Sequence, residues 1–206
     1  MRGFLVYAAA GFLSGGVMFS YLIPKLFWHV DVIKESGDHN PGTANVVKLL
    51  GFPVGMLCLA FDLGKGFLPV FLASRALNAE DPLFSLVLAA PVFGHAFSPM
   101  LKGRGGKAIA VTFGSLLGAA WFTPLVWCLA ALFIFFSVVV VVSPIPLRVV
   151  VTFLLLAAYC LMFVPQLSFT LGGLMICAAV LFKHLYHNPM EKEKVRVSLL
   201  YRKDIS

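Results

Sequence analysis

Residues 107–142 read KAIAVTFGSLLGAAWFTPLVWCLAALFIFFSVVVVV. Beyond Lys107 this run carries no charge, and it is far longer than the ~20 residues one helix needs to cross a bilayer. Thr123-Pro124 is the natural break, because proline removes a backbone donor and pushes the residue before it out of helical geometry. Divided there, the run gives spans at 107–122 and 125–142. Left whole, it gives one. That choice sets the parity of the entire chain.

Working outward, apolar runs recur at 3–24, 50–73, 83–101, 147–164 and 168–186. The composition agrees: 60% of the 206 residues are apolar and 12% charged, with mean hydropathy +0.95. The expectation is an all-α polytopic membrane protein with seven transmembrane helices, forming one membrane-embedded domain over 1–206. The first run lacks a small-residue cleavage pattern and is expected to be retained as a span. Of the sixteen Lys and Arg, seven spans put all but Arg2, Arg75 and the in-span Lys65 on one side. The positive-inside tendency then places the N-terminus outside and the C-terminal tail in the cytoplasm. Six spans would leave the basic tail external. The net charge of +7 is accounted for by topology and attraction to anionic lipid, and nucleic acid is not an expected partner. Cys58, Cys128, Cys160 and Cys177 lie in apolar runs without metal-ligand spacing, so they read as small buried side chains and no metal is expected.

Two polar islands fall in loops that open on the same, cytoplasmic, face. The first is Ser36-Gly37-Asp38-His39-Asn40-Pro41-Gly42-Thr43-Ala44-Asn45-Val46. Asn40-Pro41 reads as a helix start, with an N-cap side chain and proline at the first helical position. Such an end presents unpaired N–H groups and partial positive charge to an anion, with Lys48 one turn beyond Asn45. The second is Gly94-His95-Ala96-Phe97-Ser98-Pro99, followed by Lys102-Gly103-Arg104-Gly105-Gly106-Lys107. Its glycines let backbone amides approach an anion, beside three cations in six residues. A tight turn carrying topogenic charge would look the same, and the long spacing of a P-loop is absent.

Two smaller features complete the pattern. Asp62 and Lys65 stand one turn apart inside the second span and read as an ion pair, either functional or orienting. Lys183-His184-Leu185-Tyr186-His187-Asn188 closes the last span, where a histidine is a candidate base or phosphate ligand. Polar residues ending a helix are the plainer account, and the run Glu191 to Lys194 reads as a solvated tail.

Taken together, these islands resemble the bacterial acyl-phosphate:glycerol-3-phosphate acyltransferase family, PlsY. Its first motif is similar to S-G-N-P-G-A-T-N-V followed by Arg, and Ser36, Gly37, Asn40, Pro41, Gly42, Ala44, Asn45 and Val46 match it. A span signature like D-x-x-K-G is matched by Asp62, Lys65 and Gly66. A second motif, G-H-x-F-P followed by F-K-G-G-K-G, is matched by Gly94, His95, Phe97, Gly105, Gly106 and Lys107. The chain departs from the pattern in several places. Asp38-His39 is inserted, Thr43-Ala44 reverses Ala-Thr, Lys48 replaces Arg, and Ala108 replaces the last glycine. The third motif, H-x-x-N-I, is broken around His184 and Asn188.

The resemblance implies transfer of a fatty acyl group from acyl phosphate to glycerol 3-phosphate at the cytoplasmic face of the bacterial inner membrane. The partners are those two substrates and membrane lipid, and no cofactor is implied. The implied catalytic residues are Ser36, His95, Lys107, His184 and Asn188. Phosphate binding falls to Gly37, Asn40, Gly42, Asn45, Lys48, Lys102, Arg104, Gly105 and Gly106, and orientation to Asp62 and Lys65. The H-x-x-x-x-D signature of the other major acyltransferase class is absent. Two rival readings are a catalytically altered paralogue that binds a phosphorylated or acylated ligand, and a small-anion transporter. The transporter reading is weakened by polar clusters that sit at one face.

Overall fold

The computed structural model describes residues 1–186 and 195–199. The described chain is almost wholly helical: α1 (Arg2–Gly16), α2 (Phe19–Phe27), α3 (Val32–Glu35), α4 (Thr43–Leu50), α5 (Phe52–Ala76), α6 (Phe84–Ala96), α7 (Ile109–Gly118), α8 (Leu125–Ile134), α9 (Ile145–Phe163) and α10 (Leu167–Tyr186). Four helical segments are long and apolar enough to cross a membrane: α5, Phe84–Leu101, α9 and α10. A fifth arises if α1 and α2, bent by 42° at their junction, count as one. Ile109–Gly118 and Leu125–Val139 are apolar but shorter. The seven expected segments therefore each hold a helix, and Thr123-Pro124 does separate α7 from α8.

Small residues set the packing. A Cβ at Gly15 would lie 2.0 Å from the Pro91 carbonyl oxygen, and one at Gly94 would lie 2.0 Å from that of Phe12, so α1 and α6 meet backbone to backbone. Gly66 and Gly114 bring α5 and α7 together in the same way. Without a hydrophobic drive between helices in lipid, such close approach is what holds a bundle. Large apolar side chains such as Leu5, Leu13, Leu68, Leu154 and Met162 are left exposed on the outside, as a lipid-facing surface requires.

Two contacts across the chain sort its ends. The Cβ position of Gly3 lies 2.9 Å from the Leu77 side chain, so the start of α1 sits beside the end of α5. Ser168 Oγ donates to the Ala79 carbonyl at 2.7 Å, putting the start of α10 at that same end.

Two expectations are corrected. The segment 125–142 is not helical to its end: after a π turn over Phe135–Val139 it becomes β1 (Val140–Ser143), which pairs antiparallel with β2 (Arg196–Leu199) in the register Val140 to Leu199. The valine run Val138–Val142 favours the pleated state, since β-branched side chains lose freedom in a helix. Arg148 holds this ribbon to α9 by donating from Nε to the Val142 carbonyl at 3.0 Å. The second correction concerns the first island. The helix does not start at Asn40-Pro41: α4 begins at Thr43 with Gly42 as its N-cap.

Candidate active site

The break between α1 and α2 frees carbonyls that a continuous helix would have used. Ser98 Oγ donates to the Gly16 carbonyl at 2.5 Å, and Lys65 Nζ donates to the Val17 carbonyl at 2.6 Å. Lys65 also pairs with Asp62 at 2.7 Å, both side chains being almost fully buried. Asp62 Oδ2 accepts from Ser20 Oγ at 2.6 Å, and Ser20 Oγ lies 3.3 Å from Thr43 Oγ1 at the start of α4. Desolvating two charges costs several kcal/mol unless further hydrogen bonds satisfy them. Here those bonds run from α5 through the helix break to the helix that carries the first island.

The first loop is also anchored by apolar contact. Val32 of α3 and Val46 of α4 are fully buried in a small cluster with Ile23 and Cys58. Above this base the loop folds on itself. Asn45, buried at the third position of α4, points its amide back and donates to the Asn40 carbonyl at 2.8 Å and to Asp38 Oδ1 at 2.7 Å. Gly42 lies close under the Asn40 side-chain amide, its Cβ position 2.6 Å from Asn40 Nδ2.

The second loop is shaped by His95. Its carbonyl accepts the Gly106 N–H at 3.1 Å, and a Cβ on Gly105 would fall 1.8 Å from that same oxygen. The His95 ring packs against Gly106, whose Cβ position is 2.3 Å from Nε2. The two glycines thus fold over a buried histidine and project Lys107 toward the first loop. Lys107 Nζ donates to Asp38 Oδ2 at 2.9 Å. Burial works to raise the Asp38 pKa, but hydrogen bonds from Lys107 and Asn45, the Lys107 charge and the Asn40 N–H outweigh it. The carboxyl therefore titrates below its ordinary range.

The two loops and the end of α10 enclose a cavity of about 320 Å³ lined by Asp38, His39, Asn40, Arg104, Gly105, Lys107 and Lys183. Three cations converge on one polar hollow. Of the residues expected to bind phosphate, Asn40, Arg104 and Gly105 line it, Asn45 braces it, and Gly42 and Gly106 shape the loops behind it. Gly37 is exposed at the tip of the first loop, and Lys48 and Lys102 are exposed outside the lining.

Of the residues expected to be catalytic, Lys107 is in the wall. Ser36 is buried but not in the lining, its hydroxyl without a hydrogen-bond partner among the described residues. His95 lies beneath the glycine turn. His184 is buried on α10, with Nδ1 donating to the Val180 carbonyl at 2.8 Å. Asn188 lies outside the described residues. The sequence marks Lys183 only as part of a helix end. In the fold it is 3% exposed, lines the cavity and lies 5.7 Å above the Phe97 ring. Its signal in the sequence was its position, a cation on the last turn of an apolar helix.

A multi-helix apolar protein with a cation-lined hollow built from two distant loops is the class that fold and site define. A family profile described as glycerol-3-phosphate acyltransferase matches residues 5–189, and the chain belongs to that family. It is 31% identical over 180 residues to a glycerol-3-phosphate acyltransferase of Carboxydothermus hydrogenoformans, covering 87% of this chain and 88% of the relative. It is 38% identical over 132 residues to that of Thermotoga petrophila, covering 64% of this chain and 66% of the relative, about two thirds of its length. Among solved structures it is similar to PlsY (YgiH), an integral membrane glycerol 3-phosphate acyltransferase. The TM-scores are 0.76 for the glycerol 3-phosphate form and 0.74 for the lysophosphatidic acid form, at 21% identity over 88% of this chain and 88% and 87% of the other. That likeness extends to the fold.

Proposed function

We propose that this protein transfers a fatty acyl group from acyl phosphate to a glycerol 3-phosphate hydroxyl, producing lysophosphatidic acid and phosphate. The observation that carries the reading is the convergence of Lys107, Arg104 and Lys183 with Asn40 and the glycine turn in one cavity. Two phosphate groups must be held close together despite their mutual repulsion. Positioning plus preorganised positive charge supplies that and most of the rate. The attacking hydroxyl oxygen bonds to the acyl carbon, the acyl-to-phosphate C–O bond breaks, and phosphate leaves with the electron pair. Neither His95 nor His184 lines the cavity. In this reading the hydroxyl proton passes to the departing phosphate, and both histidines act as positioning residues.

The acyl chain lies along the apolar outside of the bundle. A groove of about 540 Å³ runs between α1, α6 and α10, lined by Leu5, Phe12, Leu86, Phe93 and Met175 among others. Phe93 packs on Phe97 with ring centroids 6.0 Å apart, and Phe97 carries the Lys183 ammonium on its face. That aromatic step supports continuity from groove to cavity.

The reading places the protein in the bacterial inner membrane with seven crossings, the N-terminus outside and the cavity on the cytoplasmic side. Even numbers of helical segments separate Asp38 from Lys107 and β1 from β2, and both pairs are in contact. The start of α1 lies at the opposite end, beside the end of α5. These contacts and the positive-inside tendency support this topology.

The test is purified protein reconstituted in lipid with acyl phosphate and glycerol 3-phosphate. Lysophosphatidate is expected. Its absence from protein shown to be folded rejects the reading. A second reading, a ligand-binding paralogue without turnover, is favoured by the ion pair that already engages Lys107. Phosphate binding without product would support it.

A further inference from the structure

In the first polar island, Asp38 and His39 stand between Ser36-Gly37 and Asn40-Pro41-Gly42. This pair has a definite geometry. His39 takes a left-handed backbone, φ 50°, its N–H returns to the Ser36 carbonyl at 3.2 Å, and its Nδ1 donates to the Ile33 carbonyl at 2.8 Å. This pinned turn points Asp38 into the cavity. There Oδ2 accepts from Lys107 at 2.9 Å, while Oδ1 accepts from Asn45 Nδ2 at 2.7 Å and from the Asn40 N–H at 3.3 Å. An ammonium, a side-chain amide and a backbone amide on two oxygens form the donor set a phosphate group would use. The rest of the lining offers two further cations, Arg104 and Lys183.

We propose that Asp38 is a specificity-determining residue: its carboxylate is a built-in anion that holds one phosphate position, and a ligand takes that position only by displacing it. The identity of the natural ligand rests on the acyltransferase reading, but the exchange itself concerns any phosphate. The consequence is discrimination by charge. A carboxylate ligand replaces like with like, and it competes against a group tethered at high effective concentration. A phosphate brings nearly two charges and three acceptor oxygens, so it exchanges favourably and engages Arg104 and Lys183 as well. The cavity therefore selects phosphates and refuses carboxylates.

The experiment measures binding by calorimetry on the full chain in lipid nanodiscs, with inorganic phosphate and acetate as probes. In Asp38→Asn, phosphate is expected to bind roughly tenfold tighter, the order of one charge-assisted hydrogen bond no longer exchanged. Acetate, silent with the parent, is expected to bind the variant. Asp38→Ser, which also removes the charge but keeps a smaller polar group, should shift both in the same direction. Unchanged or weaker phosphate binding in both variants, at parental thermal stability, overturns the proposal and makes Asp38 an organiser of the loop. Glycerol 3-phosphate is titrated alongside. If it binds neither parent nor variant while phosphate and acetate behave as expected, the acceptor assignment falls and the exchange stands.

Discussion

Lys107 Nζ and Asp38 Oδ2 lie 2.9 Å apart although the two residues are 69 positions apart in the chain. That contact closes the two loops on one another and holds Lys107 in the wall of the cavity, where the proposed reading puts a ligand phosphate. Lys107→Ala should reduce acyl transfer by roughly 10²–10³-fold, as loss of a preorganised charge does elsewhere. The variant should stay monodisperse in detergent, because the side chain is at the surface of the hollow. Undiminished turnover in reconstituted protein would remove the central assignment.

The buried pair Asp62–Lys65 should behave differently. Lys65→Met strands a buried carboxylate and leaves the Val17 carbonyl without its donor, so it should destabilise by about 3–5 kcal/mol. Adding Asp62→Asn to the same chain should return part of that loss, measured by thermal unfolding in detergent. If Lys65→Met unfolds at the parental temperature, the pair does not hold the helix break.

Ala108 is the N-cap of α7 and sits at φ 62°. A left-handed backbone costs an L-residue about 1–2 kcal/mol, which glycine avoids. Ala108→Gly should raise stability by up to about 1 kcal/mol once the freer unfolded chain is allowed for. Activity should be retained or improved. A clear drop in unfolding temperature would contradict the geometry.

Gly105→Ala tests the turn over His95. Its Cβ would fall 1.8 Å from the His95 carbonyl oxygen, so the backbone from 104 to 107 must move. The expected result is a fall in kcat with the bundle intact by circular dichroism and size-exclusion profile. Parental kcat would show that the turn does not position Lys107.

The pH dependence of the loop contact follows from Asp38, whose folded pKa is depressed. Its contribution is complete above the unfolded value, about pH 4, and is lost as pH falls through the lower folded value. Amide exchange protection in residues 36–46 should therefore be level from pH 5 to 8. Loss of protection around pH 6 would mean that another group controls the loop.

How much of this was legible in the sequence follows from which residues signal locally. The apolar runs and the break at Thr123-Pro124 announced the helices, since each depends on composition within one segment. The meeting of the two islands was also readable, because their order and spacing matched a family pattern. Asn40-Pro41 misled because its capping chemistry is real but is outcompeted: Asn45, later in the chain, takes the Asn40 carbonyl. The β ribbon joins residues 140–143 to 196–199, and no local pattern announces a pairing of that range. That Lys183 lines the cavity and His95 lies beneath the glycine turn was not legible for a similar reason. Whether a side chain lines a cavity or underpins it depends on neighbours from other helices.

The shortness of α7 has a consequence for where the chemistry happens. Ten residues of helix rise about 15 Å, half of the ~30 Å hydrocarbon thickness. Trp121, largely exposed just past its far end, marks an interface-level anchor of the kind that fixes a helix end. On the proposed topology, so short a helix cannot cover the hydrocarbon by itself, so the turn that carries Lys107 would dip below the headgroups, and the soluble substrate would come down to the lipid-borne one.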